Sequence, residues 1–271
     1  MTNNTTEVSG TMSRGARTTL ALGSLAFLTS GAVAGLSGTV ISIEAQSSIG
    51  IGTLEFDVGD LAPGNAIDLD FDGDIDLITW NNTSPLNITS TSGQVIAQLG
   101  NAQLFLTEDV GGFSSIGGAF AITAAAMDVD INITSGSVGF NGNPNPSGRA
   151  TAGLTLTDSF GTVDGADLTG LQDDGSVYAA LFNGGDIFTT LGSSFSVPAG
   201  DIINSDTLTD NFPGPTGEVP FGQGVNEIAL DINFSLTAGD QASGTFSYGV
   251  PAPGTAIVLL SGGMLATRRR R

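Results

Sequence analysis

The chain has no cysteine, no histidine and no lysine, and only seven arginines among its 271 residues. Each absence removes a class of chemistry. Without thiols there is no disulfide framework and no cysteine nucleophile. Without imidazole there is no Ser-His-Asp triad and no histidine base, and with both missing there is no ordinary zinc site. Without lysine there is no Schiff base and no phosphate-binding loop of the usual kind. The 27 acidic residues set a formal net charge of −20 and a pI near 4.1. A field of that sign repels phosphate backbones, so nucleic acid is excluded as a partner. Carboxylate chemistry, hard-cation binding, carbohydrate contact or a non-catalytic role remain.

What is present is 40% apolar, with fifteen Phe, forty Gly and ten Pro, while charged residues make up only 13%. Such a chain can bury a core, and its polar surface must come largely from Ser, Thr, Asn, Gln and backbone. That composition fits an exported β protein not stapled by disulfides.

The two ends carry targeting patterns. Residues 1–11 are polar and aperiodic, so translation can equally begin at Met12. Arg14 and Arg17 then form a basic region, Leu20 to Leu28 an apolar one, and Ala32-Val33-Ala34 a small-residue cleavage site before Gly35. This tripartite pattern predicts a signal helix over residues 1–34, handled by the Sec translocon and signal peptidase. At the other end, Val250-Pro251-Ala252-Pro253 precedes an apolar run from Gly254 to Thr267, and Arg268, Arg269, Arg270 and Arg271 close the chain. Fourteen helical residues cover about 21 Å, short of a bilayer core of about 30 Å. The arginines would stay cytoplasmic, which predicts a short, transient membrane helix.

Residues 250–271 resemble the PEP-CTERM sorting signal of exported bacterial proteins, with Ala252 where that motif has Glu. The resemblance implies removal of the segment by an exosortase, a multipass membrane cysteine protease. The product would go from transient inner-membrane anchorage to the cell surface or extracellular matrix.

Between the two signals, residues 35–249, the apolar pattern has period two. Ile228, Leu230, Ile232, Phe234 and Leu236 alternate with polar residues or Ala229, and Val129, Ile131 and Ile133 do the same. Half-buried antiparallel strands require this pattern. Dense turn signals such as Pro63-Gly64-Asn65, Asn141 to Gly148, Asp173-Asp174-Gly175 and Gly184-Gly185 separate the runs. One all-β domain is expected, an antiparallel β-sandwich of jelly-roll type.

Asp68, Asp70, Asp72, Asp74 and Asp76 place five carboxylates in nine residues, with Gly73 among them. Two readings stay open. The alternation of Asp with Leu69, Phe71, Ile75 and Leu77 suits an amphipathic strand. The spacing also suits a Ca2+ loop with Gly73 at the sharp turn. It resembles the Asp-x-Asp-x-Asp-Gly-x-x-Asp-Leu motif of FG-GAP and related surface repeats, in a single copy and with Thr79 at position twelve. Same-face carboxylates about 7 Å apart repel one another, and a divalent cation would relieve this.

Weaker candidates are the acid pairs Asp128/Asp130 and Asp173/Asp174 for glycoside hydrolysis, and Trp80, Tyr178 and Tyr248 for sugar stacking, each with core packing as the simpler reading. Arg149 is expected to pair with a carboxylate. Sequons at Asn82, Asn87, Asn132 and Asn233 matter only in a glycosylating host. The expected function is therefore an exported, non-catalytic surface or matrix protein, with Ca2+ as the candidate stabilising ion. The alternative is a carbohydrate-binding module contacting extracellular polysaccharide, with a carboxylate hydrolase third. Residues 35–249 carry 26 acids against one Arg, a net −25, because the other cations belong to the two signals.

Overall fold

Alternation of β-branched and aromatic residues with short polar ones produces strands over most of the chain. The computed structural model describes residues 36, 38–69, 71, 73–110, 113–144, 146–159, 164–200, 203–214 and 216–251. The signal segment with Ala32, Ala34 and Gly35, the tail from Ala252 and Pro253 through Arg268–Arg271, and both flanking helices lie outside the described residues. All described residues fall in the unit Ala32–Arg271.

The strands are β1 (Thr39–Ser47), β2 (Gly50–Asp57), β3 (Ala66–Ile67), β4 (Leu77–Asn82), β5 (Leu86–Thr89), β6 (Val95–Thr107), β7 (Phe113–Ala124), β8 (Val129–Ser135) and β9 (Val138–Asn143). They continue as β10 (Ser147–Asp158), β11 (Ala166–Gly170), β12 (Ser176–Phe182), β13 (Asp186–Ser193), β14 (Phe195–Val197), β15 (Asn204–Phe212), β16 (Val219–Pro220), β17 (Val225–Leu236) and β18 (Gln241–Pro251). Among the described residues the only helical element is one 3-10 turn, Val58–Asp60.

Two nine-stranded antiparallel sheets result. The first runs β13-β12-β17-β8-β1-β2, with β9 and β11 also on β17 and β14 on β11. The second runs β15-β10-β18-β7-β6-β4-β3, with β16 on β10 and β5 on β6. The chain passes repeatedly between them, as at β7 to β8, β10 to β11 and β17 to β18. Their inner faces share one core that includes Ile43, Ile131 and Phe234 from the first sheet and Leu104, Ile122 and Tyr248 from the second. This is sheet-on-sheet packing, with each strand giving alternate residues to the interior.

The abundance of Gly and Phe has a packing reason. Phe246 lies across the strand pair from Gly118, and Phe120 from Gly244. A Cβ on Gly118 would come within 2.6 Å of the Phe246 ring, and one on Gly244 within 2.7 Å of the Phe120 ring. Each ring therefore occupies the volume that its glycine leaves open.

Three sequence expectations change. Val250 and Pro251, which the sequence places in the tail beyond residues 35–249, end the last strand: they pair with Ser114 and Phe113 of β7, and Val250 is buried. Pro at a strand terminus loses no interior ladder bond, which is why the strand runs through it. The expected Asn141–Gly148 loop is shorter, since β9 extends to Asn143 and β10 begins at Ser147. The amphipathic-strand reading of Asp68 to Leu77 is overturned, as described next.

Candidate functional sites

Between β3 and β4, the described residues 68, 69, 71 and 73–76 belong to no strand. The Asp68 carboxylate accepts the N–H of Phe71 at 2.6 Å and of Gly73 at 3.0 Å. The Asp76 carboxylate accepts the Leu69 N–H at 2.6 Å. The Asp76 N–H donates to the Ile67 carbonyl, and the Asp76 carbonyl accepts the N–H of Glu108. These bonds compete with the strand ladder and win, because an Asp side chain satisfies nearby backbone donors better than a like-charged pleat could. Phe71 and Gly73 take positive φ values of 65° and 105°, and Leu69 and Phe71 are 44% and 88% exposed, so of the would-be apolar face only Ile75 and Leu77 are half-buried, Ile75 against the core. Asp74 is half-buried, and Asp70 and Asp72 lie outside the described residues. A carboxylate with two oxygens keeps lone pairs beyond one or two N–H bonds, so Asp68 and Asp76 could still ligate a hard cation. Among the described residues no three acidic side chains converge closely enough to make a metal cage by themselves.

The second candidate is the outer face of the second sheet, which sequence reasoning did not single out. A groove of about 700 Å³ crosses β4, β6, β7, β18, β10 and β15 there. Asn81, Asn101, Gln103, Gln241, Ser243 and Thr245 line it, and no carboxylate does. At about 4.8 Å between strands it is roughly 24 Å wide. The outer face of the first sheet is different: Glu44, Glu55, Asp130, Asp167 and Asp231 project from it between the buried positions of their strands. Burial raises the Asp231 carboxyl above the usual carboxylate range, against the hydrogen bonds from Gln172 and Asn132 that lower it. The signal for the groove was legible in the outward positions, where Asp and Glu recur in the strands of the first sheet while the positions lining the groove carry Asn, Gln, Ser and Thr and no acid.

The remaining candidates fall apart by geometry. Asp173 and Asp174 sit in the exposed turn before β12, where hydrogen bonds from Ser176 and Thr190 hold the Asp174 carboxyl down to about 2. An acid that strong keeps no proton to donate at neutral pH. Asp128 and Asp130 line a shallow recess, and Asp128 already accepts the Ala238 N–H at 3.1 Å. Trp80, Tyr178 and Tyr248 are all buried, so none offers a sugar-stacking face. Arg149 is half-buried at the start of β10. Asn132 and Asn233 face each other across β8 and β17, half-buried, whereas Asn87 is exposed.

No family model matches the chain, and no curated protein does. Among solved structures, the enzymatically active domain of tailspike protein 4 from bacteriophage CBA120 aligns at 12% identity with a TM-score of 0.22, covering 65% of this chain and 19% of the tailspike. The structure of infectious bursal disease virus Gx strain aligns at 14% identity and a TM-score of 0.27, covering 83% of this chain and 60% of the viral one. The chain thus spans less than two thirds of either, and likenesses this loose carry no argument.

Proposed function

We propose that the chain is an exported, non-catalytic bacterial surface or matrix protein, a sandwich of jelly-roll type delivered through the Sec route and sorted by a PEP-CTERM-like tail. One observation supports this most. Among the described residues the strands run from 39 to 251, which fits a folded body lying between the predicted cleavage after Ala34 and the apolar run and Arg cluster of the predicted tail. Because β18 includes Val250 and Pro251, a deletion from Val250 onward would cut a core strand. Removing residues 252–271 spares it. In the native host that deletion misplaces the protein, read as loss from the surface fraction and gain in the periplasm or medium. An unchanged surface fraction rejects the sorting reading.

A second reading rests on the groove. Amide and hydroxyl side chains on a broad uncharged surface suit neutral polysaccharide, whose hydroxyls exchange water for such partners with no charge to desolvate. On a glycan array the full chain binds neutral glycans, and Asn101→Ala together with Gln103→Ala abolishes this. A chain that binds no glycan leaves the surface-protein reading intact and removes the carbohydrate one. Ca2+ at the Asp68–Asp76 loop is the third element. Asp68→Asn should remove any melting shift the ion produces there.

A further inference from the structure

Asp158 closes β10 and Asp240 immediately precedes β18. Thr157 pairs with Gln241, so the antiparallel register sets Asp158 opposite Asp240. Both belong to the inward set: Asp158 follows Leu154 and Leu156, and Asp240 precedes Ala242, all buried. Asp158 has 0% of its surface exposed and Asp240 1%. Cross-strand neighbours hold their Cβ atoms about 5 Å apart, and two like charges there repel. The partners differ. Asp240 accepts the Ser159 N–H at 3.2 Å and the Thr237 hydroxyl at 2.5 Å. Asp158 accepts the Gly165 N–H at 3.2 Å through Oδ2, while its Oδ1 is buried with no hydrogen-bond partner. Asp164, exposed at the rim, adds its charge to that of Asp158 on Asp240. The only cation among the described residues, Arg149, is nine residues back along β10, about 30 Å away.

Buried carboxylates persist when they are paired or bound to metal. We propose that Asp158 and Asp240 form a divalent-cation site of calcium type at this end of the sandwich, distinct from the 68–76 loop. The unpartnered Asp158 Oδ1 is the leading ligand, Asp240 stands beside it, Asp164 lies exposed at the rim, and water completes the shell. The donors are all oxygen, which suits a hard cation of six to eight ligands.

The test uses the full chain, stripped with chelator and then dialysed against calcium, with bound metal counted by mass spectrometry and thermal shift read in parallel. The expected result is a bound calcium and a raised melting temperature, both lost in Asp158→Asn and in Asp240→Asn and both retained in Asp68→Asn. Asparagine keeps the shape and hydrogen bonding of aspartate, and a folded variant is confirmed by its melting transition. Calcium that disappears only with Asp68→Asn overturns the inference and leaves the loop reading standing. No calcium uptake, together with a calcium-free protein that Asp158→Asn stabilises, overturns it in favour of a carboxyl pair sharing a proton.

Discussion

The two ends of the sandwich are closed in opposite ways. At the end where β10 begins and β18 finishes, Phe188 stacks on Phe221 at 4.2 Å and on Tyr248 at 5.7 Å, with Phe212 edge-on at 5.4 Å. Phe182 meets Phe221 edge-on at 5.0 Å, and Gly148 leaves room for the Phe221 ring. At the other end, the length of β18 away or about 35 Å, Asp158 and Asp240 occupy the equivalent inward positions. One end is held by contact area, which needs nothing from solution. The other holds two buried charges, whose stability depends on pH and on dissolved ions.

The largest expected difference between the ends comes from truncating their centres. Phe188→Ala removes a ring that touches three others and should cost about 3 kcal/mol, less than a fully buried Phe because this one is half-exposed. The loss should be the same with calcium or chelator. Asp240→Ala deprives the Ser159 N–H and the Thr237 hydroxyl of their acceptor, costing about 1–2 kcal/mol, while it also removes the repulsion from Asp158. Its cost in urea unfolding should therefore be smaller without calcium than with it. Equal calcium dependence at both ends would erase the contrast.

Much of this was legible in the sequence, and the failures have physical causes. The β8 and β17 runs were readable because apolar residues recur at every second position. β15, Asn204–Phe212, was not: most of its residues are exposed, and it is placed by pairing with β10 rather than by burial. Asp68 to Leu77 alternated as well as any strand, yet local carboxylate-to-backbone bonds took it out of the sheet. Asp158 carried the opposite signal, an acid continuing the buried series Ala152, Leu154, Leu156. A charge on the apolar side of a period-two run was a better marker of an unusual site than the dense acidic cluster. Which acid lies opposite it depends on strand register, and that cannot be read from composition.

The acidic end should also show itself in pH. Burial, then the charges of Asp158 and Asp164, raise the Asp240 carboxyl above the ordinary carboxylate value near 4. The folded state therefore holds this proton more tightly than the unfolded chain does. The resulting stabilisation is full below the unfolded value and is lost as pH rises through the raised one. In chelator, the wild-type melting temperature should fall more steeply than that of Asp240→Asn as pH rises from about 4 toward neutrality. Parallel curves would mean the pair is not felt. Asp231, likewise raised by burial on the outer face of the first sheet, contributes equally to both proteins and cancels in that difference.

The smallest effect tests the aromatic end for a polar flaw of its own. Tyr248 is fully buried and its hydroxyl has no hydrogen-bond partner. Burial lifts its ionisation well above the normal phenol range, and the neighbouring Tyr178, also buried and unpartnered, adds to the shift. A hydroxyl taken out of water without a partner costs free energy that a ring hydrogen does not. Tyr248→Phe keeps the stack on Phe188 and removes that cost, so it should stabilise the protein by up to about 1 kcal/mol in urea unfolding, independent of calcium and of pH between 5 and 8. A destabilised Tyr248→Phe would mean that the hydroxyl has an acceptor in solution, such as an internal water. In that case the aromatic end too would depend on something drawn from solvent, and the contrast between the ends would narrow to one of charge.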